Sequence, residues 1–152
     1  MADQRGWRAI VENLADDAEF EPGASENSIS ETEGAIGIPL PEDLRSLLLE
    51  SDGVRADQSA QIVWPCAEVV KQNREFWLNE EFRELYMSFS SLLFIGDDGG
   101  GNQFAFAIMG NGKIAKADIY RWNHETDARE WFARDLEQYL ERRLSPSYYE
   151  QS

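Results

Sequence analysis

The stretch Phe94-Ile-Gly-Asp-Asp-Gly-Gly-Gly-Asn-Gln-Phe-Ala-Phe-Ala-Ile108 constrains this chain more than any other. An apolar run, Leu92 to Ile95, stops at a polar, glycine-dense loop, and a second run, Phe104 to Ile108, begins at once. Two strands read this way when the loop between them takes backbone angles that only glycine accepts cheaply. Such a loop is either a phosphate cradle or a structural turn. A phosphate loop needs a lysine and a hydroxyl at the start of a helix, so that amides, ammonium and hydroxyl all face the anion. Here Gly99, Gly100 and Gly101 lead to Asn102, Gln103 and Phe104, with neither lysine nor helix, and Asp97 and Asp98 would repel phosphate. A dinucleotide site would set its glycines before a helix rather than a strand. Asp97, Asp98 and Asn102 are hard oxygen ligands, yet the alternating ligands and closing glutamate of a calcium-binding loop are missing. The expectation is a tight connection whose aspartates and asparagine bond the local backbone, with positive φ in at least one of the three glycines. No cofactor, nucleotide or metal is expected.

Patterning places elements on both sides of this loop. Trp7, Ile10, Val11 and Leu14 share one face of a first helix over 3–18, followed by an acidic linker, Glu19 to Asn27. Ser28 with Glu31 reads as a capping box opening a helix that Gly37 stops. Pro41-Glu42-Asp43 suits the first turn of a helix with a Leu44, Leu47 and Leu48 stripe, and Gly53 is placed to end it. Gln61 to Trp64 is a short strand. Pro65 opens a helix to about Tyr86, broken near Asn79, with Val69, Val70, Phe76, Trp77, Phe82 and Leu85 as apolar members. After the two runs of the opening stretch, Gly110-Asn111-Gly112 is a hairpin turn into a third strand, Lys113 to Trp122. Asp127, with Glu130 three residues on, caps a last helix whose buried face is Ala128, Trp131, Phe132, Leu136, Tyr139 and Leu140. Strands grouped apart from helices give an α+β class, a mostly antiparallel meander covered by helices. The 152 residues suit a single domain.

Charge narrows the partners. Fourteen basic against 29 acidic residues leave a net charge of −15, which repels nucleic acid and anionic membranes and favours cationic partners. Solubility alone also explains such a charge. With one cysteine, Cys66, no internal disulfide forms, and with one histidine, His124, a four-ligand zinc site is out of reach. Cys66 opens a helix, where the dipole would lower its pKa, but a buried core thiol is the plainer reading. Adjacent carboxylates such as Asp97 and Asp98, or Glu80 and Glu81, diverge on a strand or helix and do not face one substrate together. No enzyme is expected. The start of the sequence carries no apolar signal core and no stretch suits a bilayer, so a cytoplasmic protein is expected.

Three motifs together resemble the SUKH superfamily, of the Smi/Knr type. Ile29-Ser-Glu-Thr-Glu33 followed by Gly37-Ile-Pro-Leu-Pro-Glu-Asp-Leu-Arg-Ser-Leu-Leu-Leu-Glu-Ser-Asp-Gly53 resembles its opening signature, a helix, a G-x-x-L-P turn, a leucine-rich helix and a closing N/D-G. The stretch from Phe94 is similar to its strand–loop–strand, and Ile119-Tyr-Arg-Trp-Asn-His-Glu125 to its third motif, with Asn123 in place of the usual acid. The likeness covers residues 25–143, with the 3–18 helix appended. It implies the family's α+β fold and assigns no catalytic residue. Bacterial members are implied to be immunity proteins that neutralise polymorphic or contact-dependent toxins, and fungal members regulatory scaffolds in cell-wall synthesis. The expected partner is therefore a basic, nuclease-type toxin domain encoded by a neighbouring gene, bound by a monomer or weak homodimer. The alternative is a regulatory module with a housekeeping partner. The contact surface is expected at Asp97, Asp98, Asn102, Trp122, Asn123 and His124. A meander brings these strand ends together as a polar rim around an aromatic anchor. Otherwise Trp122 packs in the core and His124 caps the last helix.

Overall fold

The computed structural model describes residues 6–56 and 60–144. Among them the chain runs α1 (Trp7–Leu14), β1 (Glu19–Phe20), α2 (Glu26–Ile36), α3 (Glu42–Glu50), β2 (Val54–Ala56), β3 (Ala60–Val63), α4 (Cys66–Leu78) and α5 (Glu80–Leu85). It continues through β4 (Leu92–Asp97), β5 (Gln103–Ala107), β6 (Ile119–Trp122), β7 (Arg129–Ala133) and α6 (Leu136–Leu144). The strands make two antiparallel sheets, ordered β1-β2-β3 and β4-β5-β6-β7. The class is α+β, and the larger sheet is the expected meander.

Both local and distant groups set the helix ends. α1 is shorter than the expected 3–18 helix, of which residues 3–5 lie outside the described residues. Its first amides are satisfied from a distance, since the Glu50 carboxylate accepts from the Trp7 and Arg8 N–H groups at 3.1 Å each. The expected linker instead carries β1, with Glu19 opposite Arg55 and Phe20 opposite Val54. The α2 cap is Ser25, not Ser28: its Oγ accepts from the Ser28 N–H at 3.0 Å, and Glu31 bonds Asn27 rather than closing a box. Gly37 ends that helix at φ 76, as its position requires. Gly53, by contrast, lies beyond α3, which is capped at Ser51, and turns the chain into β2 at φ 104. Asn79 both closes α4 and opens α5, its Oδ1 accepting from the Glu81 N–H at 2.8 Å.

The second half departs further from the pattern reading. The turn at Gly110-Asn111-Gly112 forms, with the Met109 N–H donating to the Lys113 carbonyl at 2.8 Å. However, β6 starts only at Ile119, because its register against β5 pairs Phe106 with Ile119 and leaves residues 113–118 no strand to pair with. The expected cap at Asp127 is not a cap. Asp127 takes a left-handed φ of 63, and Arg129–Ala133 pairs with β6 as an edge strand. The last helix begins at Leu136, where Asp135 accepts from the Gln138 N–H at 2.8 Å. Trp131, expected on that helix's buried face, is half exposed on the edge strand and donates its Nε1–H to Asp118.

The two sheets and α4 meet around one core. The Trp64 N–H donates to the Ile95 carbonyl at 2.7 Å, bringing β3 against β4. That approach requires Gly96, where a Cβ would lie 2.2 Å from the Ile62 carbonyl oxygen. The stripe of α3, Leu44, Leu47 and Leu48, is fully buried, as are Ile29, Val69, Phe94, Phe104 and Tyr139.

Candidate functional site

The glycine loop is built from its own side chains. Asp97 Oδ1 accepts from the Gly99 N–H at 2.9 Å, and Asp98 Oδ1 accepts from the Gly100 and Asn102 N–H groups at 2.8 and 3.2 Å. Gly99 and Gly101 stand at φ 79 and 108, so positive φ is used twice in the three glycines. Asp97 also reaches inward, its Oδ2 accepting from Trp64 Nε1 at 2.7 Å, while its carbonyl accepts from the buried guanidinium of Arg143. Arg143 lies over the Phe104 ring at 4.3 Å and also donates to the Tyr139 hydroxyl, fastening the loop to α6.

The turn after β6 meets this loop. Asn102 Oδ1 accepts from the His124 N–H at 3.2 Å and lies 2.9 Å from His124 Nδ1. The His124 ring covers Gly101 so closely that a Cβ there would sit 2.7 Å from Cε1. Asn123 Oδ1 accepts from the Glu125 and Thr126 N–H groups at 2.9 and 3.3 Å, folding the turn on itself. Asp97, Asp98, Asn102, Asn123 and His124 therefore share one end of the meander, each partly exposed.

Trp122 does not stand with them at the surface. It is buried within 5.1–6.0 Å of the Tyr86, Phe89, Phe76 and Phe94 rings, and its Nε1 donates to Asp127 Oδ1 at 2.8 Å. An aromatic anchor at Trp122 is thus corrected to a core residue. His124 caps no helix, since α6 begins twelve residues later and is capped by Asp135. Burial pushes the Asp127 carboxyl up, but the Met87 N–H, Trp122 Nε1–H and Arg129 together outweigh it and hold the group below its ordinary 3.8.

Hydrogen bonds carry this surface on to the exit of α5. The Tyr86 hydroxyl donates to the His124 carbonyl at 3.3 Å, and the Met87 N–H to Asp127 Oδ2 at 2.9 Å. Arg129 donates to the Met87 and Ser88 carbonyls at 2.7 Å each. Leu85, expected in the buried stripe, is exposed beside this contact. The signal was available: a break at Asn79 leaves α5 six residues, too few to bury two turns of stripe.

Two features elsewhere bear on chemistry. Cys66 is buried at the start of α4, where burial pushes its thiol up to about 11, against any pull from the helix dipole. A cleft of about 690 Å³ opens beside α2 and the small sheet, with Glu19, Glu21 and Asp52 in its wall. Arg55 in the same wall reaches Glu19 and Glu21 at 3.3 and 3.5 Å. Among the described residues no three His, Cys, Asp or Glu side chains are grouped to hold a metal ion. Among them too, no helix is long and apolar enough to cross a membrane.

A comparison with protein families matches residues 26–140 to the model described as SMI1-KNR4 cell-wall, within the SUKH group. That span runs from the start of α2 into α6 and includes the glycine loop and the His124 turn. No curated protein matches the chain.

Proposed function

The chain belongs to the SMI1-KNR4 family, and from that premise we propose that it is a non-enzymatic protein-binding domain. In this reading it is an immunity protein that acts in the cytoplasm. It neutralises a polymorphic or contact-dependent toxin, of the basic nuclease type, by direct binding. The observation that carries the reading is the net charge of −15 on a family domain whose polar loop groups are spent on folding the loop itself. A nuclease must hold a phosphate backbone with lysines and arginines, so an acidic protein can both steer towards that surface and cover it. The Cys66 thiol is buried, which supports a role without thiol chemistry.

The test is stoichiometric inhibition. Purified protein is titrated into the nuclease domain encoded by the adjacent gene. Cleavage is expected to fall linearly to zero near one equivalent, and full cleavage at saturating protein would refute the reading. A second reading follows from the family's cell-wall description, a regulatory module for a housekeeping partner. A neighbouring gene without any toxin domain favours that alternative.

A further inference from the structure

Around α5 the chain leaves three large apolar side chains in water: Leu78 is 61% exposed, Leu85 70% and Met87 64%. Single exposed hydrophobes need no explanation, but here three fall within ten residues, at the two ends of α5. α5 itself buries no residue completely. Only Phe82 turns inward from it, stacked on Phe76 at 5.2 Å and edge-on to Phe89 at 6.2 Å. Leu85 follows Phe82 by three on α5, while Leu78 is the last residue of α4, just before the Asn79 break.

The rim of this patch is acidic. Glu75, Glu80, Glu81 and Glu84 are all exposed, against Arg74 and Arg83, and Arg83 Nη2 already donates to the Trp77 carbonyl at 3.4 Å. An apolar face ringed by carboxylates is repelled by an anionic lipid surface and complements a protein face of opposite charge. The backbone beneath it is fixed. Asp127 and Arg129 hold Met87 by both its N–H and its carbonyl, and Arg129 also lies over the Phe89 ring at 4.7 Å. With the Met87 backbone already held, binding there costs side-chain rotamer freedom but little backbone ordering.

We propose that Leu78, Leu85 and Met87 form the apolar anchor by which the protein holds its partner. That partner is a folded domain presenting an apolar cluster within a rim of lysine and arginine. The inference rests on the immunity reading and supplies what Trp122, being buried, does not. The anchor is continuous with the His124 turn through Tyr86, so the glycine loop becomes part of the surrounding polar rim.

The experiment measures affinity for the toxin domain encoded by the adjacent gene, using wild type, Leu85→Ser, Met87→Ser and the double variant. These side chains lie in solvent, so the variants keep the wild-type melting curve. The double variant is expected to bind about 10- to 100-fold more weakly, the loss lying in a faster dissociation rate. Leu85→Met restores most of it. Wild-type affinity in the double variant, with the wild type binding tightly, overturns the anchor and leaves the immunity reading standing. A wild-type dimer that Leu85→Ser converts to monomer also overturns it, because the face would then belong to a second copy. No binding by the wild type removes the immunity reading and the anchor with it.

Discussion

Gly101 and His124 occupy one small volume, and only glycine lets both stand there. At φ 108 any side chain is strained, and a methyl would press on the imidazole at 2.7 Å. Gly101→Ala is expected to lower stability by about 1–3 kcal/mol. Gly100→Ala is the control, since its Cβ would meet only Asp98 Oδ1 at an ordinary 3.5 Å. Urea midpoints measure the difference, and equal midpoints for the two variants would refute the fit. Asp127 makes a second residue-scale prediction, through pH. Its folded pKa lies below the unfolded 3.8, so the ionised carboxylate stabilises the fold fully above that value. The contribution fades as pH falls through the lower folded pKa. Asp127→Asn keeps a residue type that tolerates the left-handed backbone, and removes the charge together with one of the two acceptor oxygens. The variant is expected to be less stable at pH 7, its deficit shrinking below about pH 3.8. A gap that stays constant from pH 7 to pH 2 would exclude this account.

Among the elements, α4 is fastened to the meander by the Trp77 Nε1–H, which donates to the Leu92 carbonyl at 3.0 Å, and by a buried amide. Asn73 Oδ1 accepts from the Phe94 N–H at 2.7 Å, while its Nδ2 donates to the Phe94 and Val69 carbonyls at 2.8 Å each. Phe94 lies on the strand side that faces α4, where no neighbouring strand meets these groups. Asn73→Ala leaves a buried N–H and carbonyl unpaired, each costing about 1–3 kcal/mol. Chemical denaturation should therefore find Asn73→Ala among the most damaging single changes in α4, and a loss under 1 kcal/mol would mean that water replaces the amide. Elements fixed by local chemistry were legible in the sequence: the stripe of α3, the Asn79 break, Gly37, and the strands around the glycine loop. Some elements fixed by pairing were not. Glu19 and Phe20 make a strand only because Arg55 and Val54 lie beside them. The Asp127 and Glu130 spacing imitates a cap that β6 overrides by recruiting Arg129–Ala133 as a strand. The candidate site divides the same way. Its turn residues were visible as glycine, aspartate and asparagine chemistry, whereas the burial of Trp122 depends on how the Tyr86, Phe89, Phe76 and Phe94 rings gather around it.

For the whole molecule the governing quantity is the net charge of −15, and its effect belongs to encounter rather than to the bound contact. Long-range attraction between this surface and a basic domain reaches about 8 Å at physiological salt and shortens as salt rises. Association with a basic toxin domain is therefore expected to slow steeply with added sodium chloride, while dissociation changes little. The choice of variants follows from the structure. Asp97 and Asp98 hold Trp64 and the loop amides, so reversing them would alter the loop as well as the field. Glu84 on α5 and Glu125 in the His124 turn are both exposed and suit the test better. Glu84→Lys with Glu125→Lys is expected to reduce the association rate about tenfold at low salt and to flatten its salt dependence, with unchanged melting behaviour. Stopped-flow association over a range of ionic strength measures both. If the wild-type rate were indifferent to salt, the charge would serve solubility alone, and recognition would rest on the apolar contact without electrostatic steering.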